Sequence, residues 1–296
     1  MSLGHAVDVL MSGLFAAAIY FLVAAGLQVV FGVQRIFNLA CGSFYALGAF
    51  VGISAVRWAV GSGLPEVLFL LPLVAGGLAL AVLGPVIERL LRTVYDRDEA
   101  FQLLLTFALV LIFEDVTRLI WGSLPQSTGS LYLRYGQVEV LGSVVPVYNL
   151  LVIVASLAIA LALGFVLTRT AFGRIVRATA DNREMAEALG VDLRRVSVQV
   201  FTLGTVLSTL GGALVIPSTA TMSEMGIELI VVAFAVVVIG GLGSMKGALV
   251  GALLVGVMRA LAISTFPEVE LLLIYLIVIG VLVLKPQGLF GRAPVS

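Results

Sequence analysis

The chain has 296 residues, of which 61% are apolar and only 11% are charged, and its mean hydropathy is +1.17. Soluble globular proteins carry charge on roughly a quarter of their residues, so this composition excludes a soluble protein and indicates an integral membrane protein. Seventeen basic and seventeen acidic residues give a net charge of zero and no reason to expect nucleic acid as a partner. A single cysteine, Cys41, excludes an internal disulfide.

The apolar runs predict an all-α, polytopic membrane bundle that forms a single domain over 1–296. One helical crossing needs about 20 apolar residues, so the chain has room for about eight or nine spans. The seventh run is short and leads into Gly240, Gly241 and Gly243, where a helix break is expected. Whether 227–266 forms two spans or one long kinked helix stays open. The runs lie at about 9–31, 39–56, 64–87, 100–120, 147–167, 197–217, 227–240, 247–266 and 271–285.

The basic residues predict which ends of the bundle face the cytoplasm. Segment 168–195 is rich in arginine, whereas loop 121–146 contains Arg134 alone. Cytoplasmic loops carry an excess of basic residues, so 168–195 is predicted inside and 121–146 outside. Lys285 and Arg292 place the C-terminus inside as well, and counting spans back from the basic segment 88–99, which is also predicted inside, places the N-terminus outside.

Segment 168–195 predicts a short amphipathic helix over 181–192, with Asp181 or Asn182 as the N-cap and Gly190 as the C-cap. Such a helix either rests on the inner membrane surface or docks a cytoplasmic partner. Small residues in its middle favour docking, because a lipid-seeking helix more often presents Phe, Trp or Leu. The candidate coupling residues are Arg177, Asp181, Glu184, Ala186, Ala188, Leu189 and Gly190.

The outer loop 121–146 predicts a small β-hairpin with a turn at 141–143. This hairpin is either a lid over helix ends or a landing surface for an external binding protein, and the sequence leaves both open.

Two interrupted stretches, 35–42 and 240–244, are candidates for lining a solute pathway. Irregular backbone at membrane depth is tolerated only where it is buried in protein or lines a cavity. Arg259 costs about 2.5 to 3.5 kcal/mol at a helix centre, so it is expected either to snorkel or to face a pathway or interface. Tight helix packing explains the recurring glycines at least as well as a pathway does. The candidate pathway residues are Asn38, Cys41, Gly42, Gly240, Gly241, Gly243, Ser244 and Arg259.

No motif for catalysis is present in the sequence. Residues 241–246 read GLGSMK and lack the spacing of a phosphate-binding loop, and there is no HExxH motif, paired metal-ligand cluster or nucleophile elbow. The chain is therefore predicted not to be an enzyme and to hold no catalytic residue, metal or cofactor of its own.

Four segments carry a resemblance to a known family. They read FGVQRIFNLACGSFYALGAFVG (31–52), RTAFGRIVRATADNREMAEALGVD (169–192), IGGLGSMKGALVGALLVG (239–256) and KPQGLFGR (285–292). In this order they resemble the inner-membrane permease of bacterial branched-chain amino acid (Liv-type) ABC importers. The chain departs from that family at 38–42, where NLACG replaces the usual NFAHG, and at Arg259, near which the family commonly has an acidic residue.

The resemblance implies a multi-pass permease of the bacterial inner membrane, embedded in lipid, with a fold similar to the vitamin B12-type (type II) importers. Two cytoplasmic ATPase subunits, which bind ATP and Mg²⁺, would dock at 181–192. The permease would pair with a second homologous permease or with a copy of itself, and an extracytoplasmic solute-binding protein would deliver a branched-chain amino acid or a related small polar solute.

Two other classes of function remain open from the sequence: a stand-alone secondary transporter, and a structural or receptor-like subunit. A secondary transporter is expected to need intramembrane carboxylates for ion coupling, whereas the acidic residues here fall at helix ends or in loops. The substrate, the choice between homodimer and heterodimer, and the presence of a substrate site within the permease also stay open.

Overall fold

The structure, a computed structural model, describes residues 3–95, 97–129 and 131–291, so Arg292 lies outside the described residues. Apart from one β-hairpin, the described elements are helical. The α-helices are α1 (Leu3–Gln34), α2 (Ala40–Gly61), α3 (Leu70–Ala79), α4 (Leu83–Leu91), α5 (Glu99–Trp121), α6 (Val147–Arg169), α7 (Ala171–Asp181), α8 (Arg183–Ala188), α9 (Leu193–Val215), α10 (Met225–Gly240), α11 (Met245–Thr265) and α12 (Glu270–Leu284). The strands β1 (Gln137–Val140) and β2 (Ser143–Pro146) pair antiparallel.

Six helical stretches of the described chain are long and apolar enough to cross a membrane. Helix α10 and the apolar part of α12 are also apolar but shorter, and α5 is not among the six. The structure is thus an all-helical, multi-pass membrane domain, while the count of eight or nine spans stays a prediction. The six stretches are Gly4–Gln34, Ala40–Gly61, Glu66–Val94, Val147–Arg169, Leu193–Val215 and Met245–Thr265.

Helix α1 lies at the centre of the bundle and packs against α6, α9, α10 and α11. Its middle residues, from Leu22 to Ala25, are completely buried. Helix α6 is equally apolar, yet only 17% of its most apolar 18 residues are buried within the protein. An apolar helix needs no protein cover where lipid is the solvent, so α6 forms part of the outer wall.

The chain re-enters the bundle between α1 and α2. Arg35 has a φ of 57°, which reverses the chain, and the residues that follow run without regular structure. Asn38 is buried, and its Oδ1 accepts a hydrogen bond from the Ala40 backbone N–H at 3.1 Å. A Cβ on Gly42 would overlap the carbonyl oxygen of Gly226 in the first turn of α10, so the two helices approach closely here. The irregular backbone is thus buried in protein, as membrane depth requires.

The short helix predicted within 181–192 is present as α8, over Arg183–Ala188. A second helix that was not predicted, α7, precedes it, and the two are separated because Asn182 adopts an extended conformation with φ −150° and ψ 104°. Its Oδ1 accepts a hydrogen bond from the Met185 backbone N–H at 2.9 Å, so Asn182, and not Asp181, is the N-cap of α8. Gly190 has a φ of +87°, and α8 ends at Ala188, just before it.

Two other predictions are confirmed. The outer loop contains the β-hairpin, whose two-residue turn at Leu141 and Gly142 has positive φ at both positions, as a type I′ turn requires. The helix break expected at Gly240, Gly241 and Gly243 is present as a turn at 241–244, and of the two arrangements left open for 227–266 the structure has two helices, α10 and α11.

Candidate functional site

The two ends of the bundle carry different structures, joined by α1. At the hairpin end, the Ser143 hydroxyl of β2 donates to the Asp8 carboxylate in the second turn of α1. At the opposite end, the guanidinium of Arg35 donates to the carbonyl oxygen of Ala180 in α7 at 3.0 Å. We call α7 and α8 together (171–188) the platform. Helix α1 is about 48 Å long at 1.5 Å per residue, so it connects hairpin and platform across the whole bundle.

The turn between α10 and α11 is closed by tight backbone packing. A Cβ on Gly247 would overlap the carbonyl oxygen of Gly240, so the two helices touch through their glycines. Gly241 has a φ of +97° and reverses the chain. The Ser244 hydroxyl then caps α11 by accepting from the Gly247 backbone N–H at 3.1 Å. These contacts support a fixed turn rather than an open channel wall.

Gln28 of α1 satisfies the backbone of this turn. Its Nε2 donates to the carbonyl oxygen of Gly241 at 2.9 Å, and its Oε1 accepts from the Gly243 N–H at 2.6 Å. The side chain is 2% exposed. These hydrogen bonds connect α1 to backbone groups of the turn, at Gly241, which is buried, and at Gly243, which is exposed.

A cavity of about 780 Å³ opens at the hairpin end, between α1, α10, α11 and the residues that precede α10. Arg259 reaches it from α11, where its Nε donates to the Glu270 carboxylate and its Nη1 donates to the Tyr20 hydroxyl. The guanidinium also lies 5.7 Å from the centre of the Tyr20 ring. Arg259 is therefore held in place by ion pair, hydrogen bond and cation–π contact, and simple snorkelling does not describe it.

The predicted pathway residues do not form one site. Among the eight, Arg259 is the one that lines the cavity. The turn from Gly240 to Ser244 lies about 20 Å away along α11. Cys41 is buried, and Gly42 packs against α10, so the start of α2 has a structural role.

The platform is tied to the bundle by two arginines. The Arg177 guanidinium donates to the carbonyl oxygens of Leu167 and Thr168 at the C-terminus of α6, where a cation also complements the helix dipole. Arg35 provides the second link, to α7. Arg177 was a predicted coupling residue, and in the structure its guanidinium links the platform to α6 while the residue stays exposed.

The free face of α8 carries apolar side chains. Met185 is 58% exposed, Leu189 is 78% exposed, and Ala188 lies exposed between them. The acidic side chains of Glu184 and Glu187 are exposed beside them. Ala186 is 3% exposed and packs into the protein, so it does not offer the partner surface that was expected of it. Exposed apolar groups rimmed by charge are typical of a docking surface.

Several residues of these sites were not predicted from the sequence. Tyr20 and Gln28 fall in the first apolar run, and their partners lie more than 200 residues away. Glu228 and Glu270 stand alone at the starts of apolar helices. A polar residue in an apolar run is a useful signal that something polar faces it, but the run does not identify the partner.

Known proteins resemble the chain over nearly its whole length. A family profile described as "Branched-chain amino acid transport system / permease component" matches residues 9–282. The high-affinity branched-chain amino acid transport system permease protein BraD of Pseudomonas aeruginosa is 25% identical, covering 99% of this chain and 98% of that protein. LivH of Escherichia coli, a permease protein of the same description, is 26% identical over 96% of this chain and 95% of its own.

More distant similarities extend to sugar import and to one solved structure. The ribose import permease protein RbsC of Haemophilus influenzae is 24% identical over 84% of this chain and 76% of its own. The solved structure of PsaBC from Streptococcus pneumoniae in complex with Fab matches with a TM-score of 0.51 and 14% identity, covering 99% of this chain and 97% of that one. At that identity the match shows the fold alone.

Proposed function

The chain belongs to the family of branched-chain amino acid transport system permease components, and from this membership we propose that it is the membrane subunit of an ATP-driven importer for a branched-chain amino acid or a related small polar solute. The observation that carries the proposal is the family match over residues 9–282, from the second turn of α1 to the end of α12. A match of this extent covers all of the helices except the first six residues of α1 and the last two of α12, and it includes the platform and most of the cavity lining.

In this proposal the platform faces the cytoplasm and binds the ATPase subunits. Six arginines between 168 and 195 support that orientation, because basic residues accumulate on the cytoplasmic side. The free face of α8, with Met185, Ala188 and Leu189, is the contact surface for the ATPases. Two such subunits would bind ATP and Mg²⁺, since this chain supplies no phosphate-binding loop. The N-terminus and the hairpin then lie outside, where a solute-binding protein delivers its cargo.

Motion of the platform would reach the cavity through α1. Arg35 holds α7, Gln28 holds the α10–α11 turn, and Tyr20 holds Arg259 beside the cavity. Tyr20 and Gln28 project from α1, and Arg35 follows its last residue directly, so the three side chains are spread over about 22 Å along this helix. When the ATPases displace the platform, α1 therefore moves the α10–α11 turn and the cavity with it. Alternating access needs such a rigid helix to carry motion from one side of the membrane to the other.

We further propose that the permease works as a dimer, with itself or with a homologous second permease, and that its helices are arranged as in the vitamin B12-type importers. Exposed apolar side chains on α5 and α6 leave ample surface for lipid and for a second permease. The similarity to the ribose permease keeps a sugar as the alternative substrate class.

The test of this function is purification followed by reconstitution. The tagged chain, extracted from its native membrane in mild detergent, is expected to bring down ATPase subunits and a second permease or a second copy of itself. In liposomes, that complex with its solute-binding protein should accumulate labelled leucine only when ATP is present. Accumulation by the chain alone, driven by an ion gradient without ATP, would overturn the proposal in favour of a secondary transporter.

A further inference from the structure

The cavity at the hairpin end contains two opposite charges that are open to a ligand. Arg259 has five N–H donors, of which Nε is used by Glu270 and Nη1 by Tyr20, while its Nη2 group has no acceptor among the described residues. Its side chain is 27% exposed. A guanidinium that is held in this way is fixed in orientation and still has N–H groups free, as recognition of a carboxylate requires.

Glu228 supplies the opposite charge from α10. It lies one turn into the helix, exposed, in the lining of the same cavity, and has no ion-pair partner in the described part of the chain. The other two carboxylates of the lining are engaged, Asp8 by the Ser143 hydroxyl and Glu224 by Arg118 at 3.0 Å. Its carboxylate faces the cavity without an ion-pair partner among the described residues, so it can accept hydrogen bonds from a cationic group of a ligand.

Most of the remaining wall of the cavity is apolar, and His5, Ser12, Tyr45, Thr219 and Ser264 add polar groups to it. Val9 and Ile19 come from α1, Leu229 and Val232 from α10, and Ile263 from α11. Val9, Leu229 and Val232 are each less than 9% exposed, so they present a firm surface rather than loose side chains. Ligand sites commonly combine such an apolar wall with a few placed polar groups.

We propose that this cavity is a substrate site inside a single permease subunit, and that it holds a zwitterionic amino acid with a branched aliphatic side chain. The ligand's carboxylate is bound at Arg259, its ammonium group at Glu228, and its side chain along the apolar wall. This inference rests on the proposed function and names the substrate class. A neutral sugar fits less well, because it has no charged group to bind the free Nη2 of Arg259 or the carboxylate of Glu228.

The experiment measures binding of tritiated L-leucine to the full-length chain, purified in lipid nanodiscs. Three competitors test which charged group of leucine is needed for binding. Of these, 3-methylbutylamine lacks the carboxylate, 4-methylpentanoate lacks the ammonium group, and D-ribose lacks both charges. We expect unlabelled leucine to displace the label best, the two half-ligands to displace it weakly, and ribose to have no effect.

Variants assign each half of the ligand to its residue. Glu228→Gln should weaken leucine binding about tenfold or more, while the affinity for 4-methylpentanoate stays unchanged, since that ligand has no ammonium group. Arg259→Lys should weaken leucine binding but leave 3-methylbutylamine unaffected. Glu139→Gln, on the exposed hairpin, is the matched control and should bind leucine like the original chain. Melting curves in detergent check that each variant is folded.

The site is rejected if folded Glu228→Gln binds leucine as the original chain does, or if ribose competes as well as leucine. It is also rejected if the chain binds no leucine while the assembled importer still transports leucine with ATP, and in that case the proposed function stands. Failure of the assembled importer to transport leucine at all would instead count against the proposed substrate of the importer.

Discussion

Gln28 and Gly241 are 213 positions apart in the chain, yet the amide of the first donates to the carbonyl oxygen of the second at 2.9 Å. This contact places a polar side chain of the central helix at the turn where α10 reverses into α11. The same amide accepts from Gly243, so one side chain satisfies both a donor and an acceptor of the turn. Helix α1 and the turn are therefore expected to move as one body.

Replacing Gln28 by Leu keeps the volume and removes both hydrogen bonds. The backbone N–H of Gly243 then loses its partner at a turn that is partly exposed, which costs about 0.5–1.5 kcal/mol. We expect a lower melting temperature in detergent and reduced transport. Gln137→Leu, at an exposed position of the hairpin, should change stability by less than about 0.5 kcal/mol. Equal melting temperatures for the two variants would show that the turn does not depend on Gln28.

Gly247→Ala tests the contact between α10 and α11. The added methyl group would overlap the carbonyl oxygen of Gly240, so the helices must separate or the chain must misfold. We expect a destabilisation of about 1–3 kcal/mol and poor yield of monodisperse protein. Gly164→Ala in α6 is the matched control, because a Cβ there has no atom within 4 Å. That variant should behave like the original chain in size-exclusion chromatography, and an equal loss in both would contradict the packing argument.

Ala188→Arg places a large cation in the middle of the exposed face of α8. It should abolish association with the ATPase subunits and leave membrane insertion normal, since the position is exposed and outside the apolar spans. The measurement is co-purification of ATPase with the tagged chain. Ala178→Arg, at an exposed position of α7, adds the same charge away from that face and should retain the ATPase. Undiminished ATPase recovery with Ala188→Arg would remove α8 as the docking surface.

The proposed orientation is open to labelling with a membrane-impermeant maleimide. Cys41 is buried and is the one cysteine of the sequence, so Cys41→Ala gives a background without reactive thiol. In that background Glu139→Cys on the hairpin should be labelled in intact cells, and Leu189→Cys on the platform only after the membrane is opened. Both positions are exposed, so access is decided by sidedness alone. The reverse pattern would place the platform outside and exclude its docking to cytoplasmic ATPases.

Local features of the fold could be predicted from the sequence because local physics decides them. Leu141 and Gly142 stand between two stretches of alternating residues, which is the pattern of a hairpin. Gly240, Gly241 and Gly243 disfavour a continuous helix, and the structure has the break there. The start of α8 could also be predicted, since Asn182 is a favoured N-cap residue, whereas α7 could not be, because its apolar and basic residues do not mark where a helix begins.

The candidate sites could be predicted only in part. Arg259 was identifiable because a charge in an apolar run needs a partner, and its partners Tyr20 and Glu270 are fixed by tertiary packing. The sequence predicts that Cys41 and Gly42 line a solute pathway. In the structure Cys41 is buried and Gly42 packs against α10. Small residues serve close packing and open passages equally well, so composition cannot separate the two.

The length of α1 has a consequence for the lipid around the protein. The helix extends about 48 Å, whereas the hydrocarbon core of a bilayer is about 30 Å thick, so α1 must incline or protrude. It is anchored to the hairpin at one end and to α7 at the other. A thinner or thicker membrane changes the favoured inclination of this helix and shifts both anchors together. A change in the acyl-chain length of the lipid is therefore expected to shift the hairpin and α7 at the same time, although they lie at opposite ends of the bundle.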